Sequence, residues 1–185
     1  MQSTRRAKIQ ESPTQSEIAL LLESAEAHRA PETALLLRLI AQTGVRASEV
    51  RHFTVEAARQ GYVDLIRDRQ TRRVPLPEAL ARDLRDFASE RGLTAGALFT
   101  DRRGNPMSRQ SVRQRLKRLA GKARLPDAKV NATALRNHYA ENYLSQSADI
   151  PALSARLGYL GISERFGYPV TSEAERAANL NSLYD

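Results

Sequence analysis

Residues 131–170, NATALRNHYAENYLSQSADIPALSARLGYLGISERFGYPV, decide how this chain is read. Thr133 or Asn131 can cap a helix that carries Leu135, Arg136, Tyr139, Ala140 and Leu144. Pro151 suits the first turn of a second helix, with Leu153 and Leu157 on one side and Gly158 as its stop. Tyr159 and a short LGISER segment follow, then Tyr168 between Gly167 and Pro169, which reads as a mobile loop. Arg136 is the one charge in the apolar run TALRNHYA. A guanidinium on a packed helix and a phenol on a loose loop make a coherent pair if both meet one phosphate.

These residues carry a resemblance. The stretch resembles the C-terminal half of the tyrosine recombinases, the phage integrase family, whose second box reads HxLRHxFAT and is followed by LGH and then a nucleophilic tyrosine. TALRNHYAE stands for the box and LGY for LGH, and Tyr168 falls nine residues after Tyr159. Ile162 fits the LGHSSI pattern, and the first box, TGxRxSEL, stands at residues 43–50 as TGVRASEV. Two boxes, an intervening VPLP and the spacing to a tyrosine are a specific combination. The resemblance implies a mainly α, α+β catalytic domain with a small antiparallel β-hairpin.

Composition points the same way. The chain has 185 residues and a formal net charge of +8, and Arg outnumbers Lys. That length fits one domain with ample core. The charge suits a polyanion, and the arginine forks suit phosphate. A GC-rich genome would also favour Arg over Lys, but would not by itself produce the net charge. There is no cysteine, and His28, His52 and His138 lack ligand spacing, so neither a metal nor any other cofactor is expected. The longest apolar run, LLLRLIA, is too short to span a membrane, and no leader peptide is recognised, so a cytoplasmic protein is expected.

In chain order, residues 1–12 read as a flexible basic arm, residues 13–170 as the catalytic domain and residues 171–185 as a tail helix. Thr14 and Glu17 form a capping box before a helix with Ile18, Leu21, Leu22 and Ala25. A second helix runs from Pro31, through Leu35, Leu36, Leu39 and Ile40, to a stop at Gly44. Residues 47–53 read as a short helix that sets Glu49 three residues beyond Arg46 and beside it. Residues 62–66 and 72–76 read as strands joined by RDRQT, and residues 77–91 as an amphipathic helix with Leu80, Leu84 and Phe87 inward. Ser108 caps a helix over residues 109–123. Its Arg109, Arg113 and Lys117, with no acid on the helix, are candidate DNA contacts or a merely solvated face.

The resemblance assigns roles. Tyr168 is the implied nucleophile, Arg46 and Arg136 the implied phosphate clamp, and Glu49 the support for Arg46. The family's hairpin lysine protonates the leaving oxygen. The hairpin here has no lysine, and Arg67 stands nearest to that position, with Arg69 a second candidate and a DNA contact. Arginine keeps its proton to a pKa above about 12, so proton delivery would need another source, such as water. The family histidine of the second box corresponds to Thr133, and that of the third box to Tyr159, which is either a phosphate donor or a packing residue. His138, two residues after Arg136, falls on roughly the opposite helix face and is no substitute.

The expected function is therefore a site-specific recombinase that cuts and rejoins double-stranded DNA through a 3′-phosphotyrosine. The alternative is a degenerate DNA-binding regulator on the same fold. A helical DNA binder unrelated to this family would leave Arg46, Arg136 and Tyr168 far apart. The resemblance further implies self-association on DNA as a dimer or tetramer, with the tail helix packed on its own core or on a neighbour. It also implies that a separate protein supplies the N-terminal clamp domain if the chain is not itself a minimal recombinase.

Overall fold

The fold is organised around one helix that is apolar nearly all the way round. In the computed structural model, α1 (Gln15–Ala27) and α2 (Pro31–Thr43) form the first pair. Leu35, Leu36, Leu37, Leu39, Ile40 and Ala41 of α2 are all buried. A helix buried on every side belongs at the centre of a domain, and α2 touches α1, α4 (Glu78–Glu90), α5 (Arg109–Lys122) and α6 (Ala132–Gln146). The structure describes residues 12–67, 70–147 and 149–158, without the side chains of Arg67 and Gln70. The expected arm before Ser12, the loop bearing Tyr168 and the tail helix lie outside the described residues.

Most elements follow their local signals. Thr14 and Glu17 make the reciprocal capping box of α1, and Ser108 caps α5 by accepting from the Ser111 amide at 3.1 Å. Of the two candidate caps for α6, Asn131 takes the role, its side chain accepting from the Thr133 and Ala134 amides at 3.0 Å each. α7 (Ile150–Leu157) starts with Pro151 in its first turn and ends at Gly158. It docks on α6 through a small separate cluster of Ala140, Leu153 and Leu157, with Tyr139 and Tyr143 alongside.

Two segments depart from the sequence reading. Residues 47–53 are not one helix but a turn followed by a short 3-10 segment, Val50–His52. The Glu49 carboxylate folds back onto the Arg46 amide at 2.7 Å, and Phe53 leaves in extended geometry so that its carbonyl accepts from the Leu98 amide. So short a stretch gains little from helical cooperativity against those ties. Next comes a helix the sequence reading omitted, α3 (Val55–Gln60), capped by Thr54 and stopped by Gly61.

The hairpin is longer than the sequence suggested. β1 (Tyr62–Arg67) and β2 (Gln70–Pro75) pair antiparallel from Tyr62↔Pro75 to Arg67↔Gln70. Most of RDRQT is therefore strand, and the connection is only residues 68–69. Val63, Leu65 and Val74 are buried on one face, while Asp64 and Arg73 pair across the other at 2.8 Å. Leu65 lies opposite Arg72, which places Arg72 on the inward face.

Candidate active site

Arg136 is held where the C-terminal ends of two helices converge. It sits on the inward face of α6 with Ala134, Leu135 and Ala140, and is only 5 % exposed. A buried guanidinium must have its donors satisfied. Its Nη1 donates to the carbonyl of Gly44, the cap residue of α2, and its Nη2 to that of Leu157, the last residue of α7, at 2.5 Å. Both carbonyls lie at negative helix ends, which favour a cation. Gly44 makes the approach possible. Its φ is +64°, and a Cβ there would lie 2.5 Å from the Tyr139 ring and 2.7 Å from Leu157.

Arg46 stands just beyond that glycine. Its Nη1 donates to Glu49 Oε1 at 3.0 Å, and its Nη2 to the Gly158 carbonyl at 3.4 Å. Glu49 also receives Arg72 Nη2 on Oε2 at 2.5 Å. Burial alone pushes the Glu49 carboxyl up, but the Arg46 amide and the charges of Arg72 and Arg46 more than offset it, leaving its pKa below the ordinary 4.5. It is an anion at neutral pH, set between two guanidinium groups.

Arg46 and Arg136 open onto one cleft of about 530 Å³. Thr133, Asn131 and Ala132, the start of α6, line it, and so do Arg109, Arg113 and Lys117 along one edge of α5. Among the described residues, five cations face the space, against Asp127 as the one carboxylate of the lining. Lys117 pairs with that carboxylate at 3.3 Å. The positive end of α6 adds to the attraction for an anion. The other edge of α5 is used differently, since Arg115 bonds Glu32 of α2 at 2.8 Å.

The structure thus gathers Arg46, Glu49, Arg136, Thr133, Arg109, Arg113 and Lys117, which are dispersed along the sequence. Arg67 ends β1, but its side chain is outside the description; Arg69, Tyr159 and Tyr168 lie outside the described residues. His138 takes no part in the cleft lining and its Nδ1 bonds the Pro13 carbonyl at 2.7 Å. Arg72 is the residue the sequence reading missed. Strand alternation contained the signal, because Arg72 shares the parity of the buried Val74 and a charge at an inward position calls for a partner.

Known proteins match this chain in sequence and in fold. The tyrosine recombinase XerD of Staphylococcus aureus is 27 % identical over 158 residues, and that of Staphylococcus saprophyticus equally so. The match takes in 80 % of this chain but only 53 % of those proteins, so the chain spans about half the length of the curated relatives it matches. Among solved structures, the XerA recombinase superposes with a TM-score of 0.74 at 18 % identity, covering 100 % of this chain and 67 % of that one. The XerH site-specific recombinase bound to its difH substrate gives 0.71 at 20 % identity, covering 96 % and 55 %. At these identities the superpositions establish the fold, that of the tyrosine recombinases. The sequence model of the phage integrase family matches residues 12–168, nearly the full length, and the chain belongs to that family.

Proposed function

We propose that this chain is a DNA strand-breaking and rejoining domain of a site-specific recombinase, with Tyr168 as the nucleophile. The observation that carries the reading is the convergence of Arg46 and Arg136, ninety residues apart, on one basic cleft and on the adjacent carbonyls of Gly158 and Leu157. One phosphate can bridge two guanidinium groups so placed. The relative XerH is a site-specific recombinase solved on its substrate DNA, and double-stranded DNA is the proposed partner here, with several copies of the chain assembled on it.

In the proposed step the Tyr168 phenol oxygen attacks the scissile phosphorus. The bond from phosphorus to the 5′ oxygen breaks, the phenol gives up its proton, and the 5′ oxygen leaves as a hydroxyl once protonated. A 3′-phosphotyrosyl bond retains the phosphoryl group, and a second 5′ hydroxyl reverses the step. No nucleotide cofactor is consumed. Charge grows on the non-bridging oxygens, where permanently charged, preorganised forks act best. Arg46 and Arg136 supply them, Glu49 orients Arg46, and Thr133 donates a hydroxyl where relatives hold a histidine. Arg67 supplies charge but no proton, and Tyr159 a phenolic donor. Arg69, Arg109, Arg113 and Lys117 contact the flanking backbone.

A second reading, a DNA-binding protein that no longer cleaves, draws on Thr133 and on the hairpin without a lysine. The two part on one experiment. Duplexes from the DNA flanking the coding sequence, nicked so that the released end is lost, are incubated with the protein and resolved under denaturing conditions. A covalent protein–DNA band supports the recombinase. A native gel shift with no covalent band under any condition supports the binder.

A further inference from the structure

We propose that Arg72 is a positioning residue of the phosphate site, acting on Arg46 through Glu49. The proposal rests on the cleft being a phosphate site, and it adds a residue that does not itself line that cleft.

The geometry is a relay. Arg72 Nη2 donates to Glu49 Oε2 at 2.5 Å, and the same carboxylate receives the Arg46 amide at 2.7 Å and Arg46 Nη1 at 3.0 Å. Arg72 Nη1 donates to the carbonyl of Arg156. The Arg72 side chain is 13 % exposed and absent from the lining of the cleft, so it is not placed to touch a DNA phosphate. Its stem lies across Gly158, where a Cβ would come within 2.9 Å of Arg72 Cδ.

Two consequences follow. Arg72, Arg136 and Arg46 donate to the consecutive carbonyls of residues 156, 157 and 158, so three separate elements hold the end of α7. The hairpin is thereby tied to the segment that leads, in sequence, toward Tyr168. The second consequence concerns charge. A carboxylate alone beside Arg46 would neutralise it and could draw its fork out of the cleft. Shared between two guanidinium groups, Glu49 leaves a net positive charge, and its plane is fixed by donors from both sides.

A double-mutant cycle tests this with the full chain. Wild type, Arg72→Ala, Arg46→Ala and the double variant are compared by fluorescence anisotropy on the nicked duplex, by covalent trapping on that duplex, and by melting temperature. The expected result is non-additivity. Arg72→Ala weakens duplex binding by about tenfold in the wild-type background and by little once Arg46 is gone. Arg72→Lys, a point charge without a fork, does not restore it. Equal losses in both backgrounds would make Arg72 a structural staple and overturn the proposal. If Arg72→Ala does not fold, Arg72→Lys is carried through the same cycle and read the same way. Coupling in binding without any covalent product keeps the relay and refutes cleavage; covalent product with additive losses does the reverse.

Discussion

Arg46 and Arg136 donate to adjacent carbonyls, Arg46 Nη2 to Gly158 at 3.4 Å and Arg136 Nη2 to Leu157 at 2.5 Å. One helix end therefore sets the separation of the two guanidinium groups that line the cleft. Arg136 has a structural duty as well as the proposed catalytic one, and a substitution should reveal both. Arg136→Lys puts a single nitrogen where two separately placed donors stood, and cannot keep both carbonyl bonds at their present geometry. A stability loss of about 1–3 kcal/mol is expected for the buried acceptor whose bond is lost, measured by urea unfolding. Trapping should fall on the order of a hundredfold or more. Full stability together with full trapping would mean that neither duty exists.

Glu49 gives a pH signature. Its pKa in the folded chain is lowered below the ordinary 4.5. Folding therefore favours the ionised form, and the stability this contributes is present above the unfolded pKa and lost as pH falls through the folded one. Glu49→Gln should melt at a lower temperature than wild type at neutral pH. The gap should hold down to about pH 5 and close only below it. A gap that closes near neutrality would assign it to another group.

Gly44→Ala tests the close approach that gives Arg136 its carbonyl. The left-handed backbone at +64° costs an alanine about 1–2 kcal/mol. The contact with Tyr139 and Leu157 adds to that unless the ring moves. A fall in Tm of about 5 °C or more is expected, with a matching loss of trapping because Arg136 shifts with its acceptor.

The two edges of α5 should separate in salt titrations. Arg109→Gln and Arg113→Gln, on the cleft edge, should each reduce the slope of log affinity against log salt by about one. Arg115→Gln, whose partner is the buried Glu32, should lower stability and leave the slope alone. Equal slope changes from both edges would mean that the duplex lies across the whole exposed face of α5.

Much of the scaffold was readable from the chain itself. The capping box at Thr14, the proline and glycine that bracket α2, and the stop at Gly158 are local signals, and local physics settled them. Arg136 was legible because a lone charge in an apolar run has to find acceptors. What those acceptors were, two carbonyls at the ends of α2 and α7, depends on how the helices pack and could not be read from spacing. Arg72 was hidden for a related reason. Its inward parity with Val74 could be read from the strand, but its partner, the Glu49 carboxylate, is brought to it only by the packing of the hairpin against the turn after Arg46. The stretch after Arg46 imitates a helix in pattern, yet the Glu49 side chain competes for the backbone and Phe53 is drawn to Leu98. There a local side-chain bond and one distant backbone partner together outweighed the helical propensity.

In the proposed reaction the cleft presents a DNA phosphate to the phenol of Tyr168. The most direct test is to isolate the covalent adduct formed on a nicked duplex, digest it with protease and locate the nucleotide-bearing residue by mass spectrometry. A single modified peptide with the 3′ phosphate on Tyr168 is expected, and no adduct from Tyr168→Phe. An adduct on any other residue, or one that persists in Tyr168→Phe, would contradict it.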